Sequence, residues 1–147
     1  MDVVSFRLDP AAAEAIRELR ARVGGPAGEP SVIAAAATSI PPAARAALTD
    51  ELRVLALPSL WLATLGTVAG RPDELVLAAV VDAELLAVHQ AVHDALAGRV
   101  KGPVAAYLPG SWLPHCVLAA HEPAAAFAEL HPVTPIRAEV IGVEVSG

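Results

Sequence analysis

The 147-residue chain falls in the size range of a single domain and is long enough to bury a substantial core. Hydrophobic residues make up 55% of the sequence and charged residues only 18%, which excludes an intrinsically disordered protein. The formal net charge of −6 argues against nucleic acid as a partner, because nucleic-acid affinity depends on clustered Lys and Arg.

The sequence favours a cytoplasmic protein. It has one cysteine, Cys116, which cannot form an internal disulfide and fits a reducing compartment. Charged residues among the first ten positions leave no room for the apolar segment of a signal peptide. The long uncharged stretches, 54–70 and 103–120, contain Pro or Gly and are marginal in length for a membrane span. We therefore expect no membrane association, and the oligomeric state stays open.

The chain begins with two strand–helix pairs followed by two strands in a hairpin. Its predicted elements are, in order, a strand over 3–8, a helix over 10–23, a strand over 31–38, a helix from 41–42 to before 58, and strands over 59–68 and 74–81. Asp9 and Pro10 are typical of an N-cap and of the first residue of a helix. Residues 70–73 have the composition and spacing of a hairpin turn.

The second half repeats the same kinds of element. Asp82 caps a predicted third helix that Gly98 stops, and then follow a strand over 112–120, a helix over 123–130 and a strand over 136–145. The elements divide between the strands over 59–68 and 74–81 into two halves with the same order, strand-helix-strand-helix-strand, which predicts one α+β domain over 1–147 built from a duplicated unit. We expect two lobes, whose antiparallel sheets flank a central groove with helices outside; such grooves commonly hold ligands.

One stretch carries a family resemblance. Residues 107–119 read Tyr-Leu-Pro-Gly-Ser-Trp-Leu-Pro-His-Cys-Val-Leu-Ala. This segment resembles the second signature of the 2H phosphoesterase superfamily, which includes the 2′-5′ RNA ligase and cyclic phosphodiesterase-like proteins. The family has a Pro-His-x-Thr/Ser-apolar strand in each of two lobes, and the predicted element order fits it over nearly the whole chain. The first signature would fall at residues 30–34, which read Pro-Ser-Val-Ile-Ala.

The resemblance also implies a damaged site. In the family, a histidine from each lobe acts as general acid or base on a phosphodiester, and the hydroxyls two residues later bind phosphate oxygens. Here Ser31 stands in the first histidine position, and Ile33 and Val117 stand in the hydroxyl positions, so only His115 is retained. One positioned acid or base is worth about 10²–10⁴ in rate. We therefore expect phosphodiesterase activity to be largely lost.

Candidate site residues follow from this resemblance. His115 is the candidate catalytic or ligand-anchoring group, and a hydrogen-bonded core histidine is an equally open alternative. The other candidate ligand-binding residues are Ser31, Ile33, Tyr107, Trp112 and Val117. Tyr107 and Trp112 are interpreted as large rings that line a pocket, whereas Trp61 is expected to fill space in a core made of small alanines.

The remaining candidates have structural interpretations. Cys116 follows His115 directly, so on a strand its thiol points to the opposite face and is expected in the core. His89 and His93, four residues apart on the third helix, have a spacing that can bind metal, but we expect one packed and one solvated histidine. No metal or cofactor is predicted. The arginines near Arg20 on the first helix alternate with glutamates and are expected to be solvated.

The leading functional hypothesis is a degenerate 2H phosphoesterase-like protein that binds or transforms a small, rather apolar molecule in the groove, with His115 as its main polar group. Catalysis, if present, would be proton transfer by this single histidine. One alternative is residual 2′,3′-cyclic phosphodiesterase or 2′-5′ RNA ligase-type activity. The other is a non-catalytic interaction module.

Overall fold

The computed structural model describes all residues from 1 to 147, which form an α+β fold. The strands are β1 (Asp2–Leu8), β2 (Ser31–Ser39), β3 (Ser59–Val68), β4 (Arg71–Ala79), β5 (Lys101–Pro103), β6 (His115–Ala119) and β7 (Ile136–Ser146). The α-helices are α1 (Pro10–Arg22), α2 (Pro42–Leu52), α3 (Ala83–Leu96) and α4 (Pro123–Leu130), with a 3-10 turn at Ala105–Tyr107. No helix is both long enough and apolar enough to cross a membrane.

Local signals set the helix ends as the sequence predicts. The Asp9 carboxylate accepts a hydrogen bond from the Ala12 N–H at 3.1 Å, and Pro10 occupies the first turn of α1. The Asp82 carboxylate accepts from the Leu85 N–H at 2.8 Å in the same way. These side chains satisfy amide donors that have no partner within the helix. The predicted starts of α1 and α3 are therefore confirmed.

All seven strands belong to one antiparallel sheet with the order β5-β2-β1-β7-β3-β4-β6. We expected two sheets, but β7 joins both sets of strands. Residues 136–139 of β7 pair with β3, and residues 140–146 pair with β1. A strand of 11 residues is long enough to serve both neighbours in succession. The α+β class is confirmed, and the duplication of two lobes stays a prediction.

Two strand starts and one connecting segment are among the differences from the predictions. β4 begins at Arg71 rather than at 74 because Gly70, with φ of 85°, makes a tighter turn than expected. β6 begins at His115 rather than at 112, directly after Pro114, which has no amide proton for a ladder bond. The short β5 and the 3-10 turn occupy a segment that the sequence indicates only as a link, since three residues carry no periodic pattern.

The helices cover the sheet in two groups. α1 contacts β7 and β6, and α4 contacts β4 and β3, whereas α2 and α3 pack against each other and α3 contacts β2. Between them lies one contiguous core of 32 buried residues. The alanines of β2 from 34 to 37 all belong to it. Such small side chains allow the close approach of α3 to β2.

The sheet also brings two distant strands together. β2 and β6 are separated by four strands in the sheet, yet they contact each other. The Trp112 indole N–H donates to the Ile33 carbonyl at 2.8 Å. The Cys116 thiol donates to the Ser31 carbonyl at 3.5 Å. The two strands that carry the signature positions are therefore neighbours.

Candidate functional site

The candidate site is the face of β2 and β6 that points away from the core. On β6, His115 and Val117 are half-buried, whereas the alternate residues Cys116 and Leu118 are buried in the main core. This pattern is the two-residue alternation of a strand with one face in the core. His115 and Val117 therefore share the outward face, as predicted.

The same alternation holds on β2. Ser31 and Ile33 are half-buried, and Val32 and Ala34 are buried in the core. We call the outward surface formed by Ser31, Ile33, His115 and Val117 the His115 face. The structure thus places four of the six predicted site residues on two contacting strands.

A hydrogen bond defines the chemistry of His115. Its Nδ1 lies 2.6 Å from the Leu113 carbonyl oxygen. A carbonyl can only accept, so Nδ1 carries the proton in the neutral ring and Nε2 keeps a lone pair. The ring makes no hydrogen bond through Nε2 within the protein. His115 therefore offers a hydrogen-bond acceptor, or a proton acceptor, to a bound molecule.

Small apolar side chains surround His115 on the β4 side. Ala78 lies directly across from His115, and Val76 lies across from Val117, so each pair shares one face of the sheet. Ala78 and Val76 are buried, yet neither belongs to the main core. Buried apolar side chains outside the main core therefore lie beside the His115 face.

The β2 side is more polar. Ser5 of β1 lies across from Ile33, and Arg7 lies across from Ser31. The Arg7 Nε is 3.4 Å from a carboxylate oxygen of Glu144, so its charge already has a partner. Hydroxyls and a paired arginine thus border the apolar part of the face.

Tyr107 and Trp112, the other two predicted ligand-binding residues, lie in the core. Both are buried members of the main hydrophobic cluster. Trp112 packs edge-on against Phe6 and stacks on His89 with a ring separation of 3.8 Å. Its bond to the Ile33 carbonyl fixes the backbone of β2. These positions correct our interpretation of the two rings as open pocket walls, and a direct contact of theirs with a ligand stays a prediction.

A core position was predicted for both Cys116 and Trp61, and only Cys116 occupies one. Cys116 is 1% exposed, as predicted, and burial raises the pKa of its thiol to about 12, with nearby Arg20 opposing the shift. It is therefore no nucleophile in the folded protein. The prediction of a core position for Trp61 is wrong, because this side chain is 46% exposed. It lies on β3 opposite Arg137 of β7.

Arg20 has a structural role, although the alternating charges of α1 predict a solvated side chain. Its Nε donates to the Val117 carbonyl at 2.9 Å, which ties α1 to β6. The side chain is half-buried, and burial lowers the pKa of its guanidinium. Arg20 follows the buried Ile16 by one helical turn, so its place beside the apolar stripe is the signal that could have revealed this contact.

The two histidines of α3 form a separate cluster. His89 and His93 each place Nε2 2.9 Å from the Ala34 carbonyl, with ring centroids 4.5 Å apart. One carbonyl has two lone pairs, so both rings donate through Nε2. Burial, and secondarily His93, lowers the pKa of His89 from 6.5 to about 4, and the Ala34 carbonyl opposes the shift. The packed His89 is confirmed, whereas His93 is half-buried rather than solvated.

Neither site has the geometry of a metal centre. No group of three or more His, Cys, Asp or Glu side chains is close enough to hold a metal ion. The five main cavities of the molecule do not include Ser31, Ile33, His115 or Val117 in their linings. The His115 face is therefore an open surface in this conformation rather than an enclosed pocket.

Comparison with known proteins adds no family to this description. No family model matches the chain, and no curated protein matches it by sequence. The site is consequently interpreted from its own geometry.

Proposed function

We propose that the protein is a degenerate member of the 2H phosphoesterase superfamily that binds a small, rather apolar molecule on the His115 face. The observation that carries the proposal is the hydrogen bond from His115 Nδ1 to the Leu113 carbonyl. It leaves an acceptor nitrogen in a half-buried position beside apolar side chains.

The geometry favours a ligand with one donor group and an apolar body. A hydroxyl or N–H of the ligand would donate to His115 Nε2, a bond with a net value of about 1 kcal/mol. Val117 and Ile33 offer apolar contact beside it, at about 25 cal/mol for each Å² removed from water. The hydrocarbon contact therefore supplies most of the affinity, and His115 supplies the orientation.

Several features support the loss of phosphodiester chemistry in this proposal. Ser31 stands where the family has its first histidine, and a serine hydroxyl does not exchange protons at neutral pH as imidazole does. Arg7, which lies across from Ser31 in the sheet, is engaged by Glu144. An anion would have to compete with that carboxylate for the guanidinium.

The Nε2 nitrogen of His115 would also allow catalysis if the bound molecule carries a sufficiently acidic proton. Nε2 would accept this proton while the Leu113 carbonyl, bonded to Nδ1–H, stabilises the imidazolium. Ser31 is the nearby hydroxyl that would orient such a substrate. We thus propose binding of the small molecule, and proton transfer applies only to molecules that carry such a proton.

Two matched probes test the proposal. Benzyl alcohol has an apolar ring and a donor, and toluene has the ring alone. Titration into the ¹⁵N-labelled protein, followed by amide chemical shifts, should perturb residues 31–33 and 115–117 with both probes. His115→Ala should weaken benzyl alcohol about fivefold and leave toluene unchanged, because only the alcohol uses Nε2.

The control variant is His121→Ala, which removes an exposed imidazole just beyond β6. It should bind both probes like the parent protein. Absence of shifts on the His115 face, or equal loss of both probes in His115→Ala, would refute the proposal. Hydrolysis of 2′,3′-cyclic AMP above the level of the His115→Ala variant would instead show that family chemistry survives.

A further inference from the structure

A second candidate site lies further along β2, between residues 35–37 of β2, α3 and the segment 98–109. A cavity of about 320 Å³ opens there. Ala35, Ala36 and Ala37 of β2 line it, together with apolar residues from the segment that ends at Pro109. None of its lining residues belongs to the His115 face.

The β2 wall of the cavity is apolar and consists of small side chains. Three successive positions of this core strand carry alanine. The cavity is at the lower end of the range for sites that bind small organic molecules. A molecule with a single ring or a short hydrocarbon chain would fit it.

The polar side chains of the lining offer mostly acceptors, and the second Nε2–H of Gln90 is the one donor that remains among them. The Nε2–H of His93 donates a hydrogen bond to the Ala34 carbonyl, so Nδ1 keeps a lone pair. Gln90 donates its Nε2–H to an Asp94 carboxylate oxygen at 2.9 Å, which leaves its own carbonyl oxygen free of that bond. Asp94 is the only charged residue of the lining, and no Lys or Arg lines the cavity.

We propose that this cavity binds a small organic ammonium ion with an apolar body. The ammonium group would lie at the Asp94 carboxylate and within reach of the acceptors on His93 and Gln90. The hydrocarbon would pack on the alanines of β2. A carboxylate ligand would meet acceptors and a like charge there, so the cavity should reject anions.

Benzylamine is the probe, with benzyl alcohol and benzoate as matched neutral and anionic molecules. Amide chemical shifts of the ¹⁵N-labelled full-length protein should locate benzylamine at residues 35–37 and 90–98. Its affinity should exceed that of benzyl alcohol at this cavity, and benzoate should not bind there. This map separates the cavity from the His115 face, so the two proposals fail independently.

Asp94→Asn tests the charge. It should weaken benzylamine about tenfold at the cavity, since a bond to a charged partner is worth more than a neutral one. Asp73→Asn makes the same charge change at an exposed position of β4 and should leave the affinity unchanged. Equal affinities in the two variants, shifts for benzoate at the same amides, or no shifts at the cavity with benzylamine would overturn the proposal.

Discussion

At the scale of single residues, burial and one carbonyl partner determine what each histidine can do. His115 is half-buried and donates through Nδ1, so its Nε2 is free to accept a hydrogen bond. His89 is 1% exposed, donates through Nε2 and stacks on Trp112, so it serves the core. The same side chain thus has a proposed binding role at one position and a structural role at the other.

His89 predicts how stability depends on pH. Its pKa is lowered from 6.5 to about 4 in the folded state, so the unfolded state binds the proton more readily. The stabilising contribution is complete above pH 6.5 and is lost as pH falls toward 4. The free energy of unfolding should fall by on the order of 3 kcal/mol across this window.

The measurement is urea unfolding at several pH values for the parent protein, His89→Gln and His121→Gln. Glutamine does not titrate, so the advantage of the parent over His89→Gln should shrink as pH falls. His121 is exposed, and its variant should follow the parent at every pH. A constant difference between parent and His89→Gln would show that His89 does not titrate as described.

At the scale of elements, α1 holds β6 in position beside β2. The contact that does so is the 2.9 Å hydrogen bond from Arg20 to the Val117 carbonyl. β6 is an edge strand of five residues, and an edge has backbone acceptors that the sheet does not use. Arg20 satisfies one of them and so fixes the strand that carries His115.

Arg20→Ala should therefore lower the free energy of unfolding by about 1–2 kcal/mol, the value of a half-buried bond from a charged donor. Arg17→Ala is the matched control, because Arg17 lies one turn earlier and makes only exposed ion pairs with Glu14 and Glu29. Its cost should be below about 1 kcal/mol. Denaturant unfolding measures both, and equal costs would contradict the role of Arg20.

Features encoded by neighbouring residues could be predicted from the sequence. The caps at Asp9 and Asp82 and the β3–β4 hairpin depend on contacts within a few residues, and the structure contains all three. The sharing of β7 between two sets of strands could not be predicted, since it is set by pairing between residues that are 74 to 143 positions apart in the chain.

The site was predicted in part. The alternation around His115 follows from strand geometry, and the resemblance suggested which strands to compare. The burial of Tyr107 and Trp112 was not predicted, because the sequence beside a motif does not show whether an aromatic side chain points into the core or into a pocket. The cavity beside His93 was also missed, since it depends on the approach of α3 to the alanines of β2.

At the scale of the whole molecule, β2 contributes to two candidate sites of different character. Ser31 and Ile33 lie on the open His115 face, and Ala35, Ala36 and Ala37 further along the strand line the cavity together with His93. Trp112 connects them, because it bonds to the Ile33 carbonyl and stacks on His89. The account assigns a donor-bearing apolar ligand to the first and an organic cation to the second.

The state of the His115 ring tests the central claim most directly. Two-bond ¹H–¹⁵N correlation spectra of the ring, recorded at alkaline pH, distinguish a protonated nitrogen from one with a lone pair. We expect a protonated Nδ1 and an unprotonated Nε2, and loss of the signals in His115→Ala would confirm their assignment. A proton on Nε2 instead would contradict the claim that His115 presents an acceptor to a bound molecule.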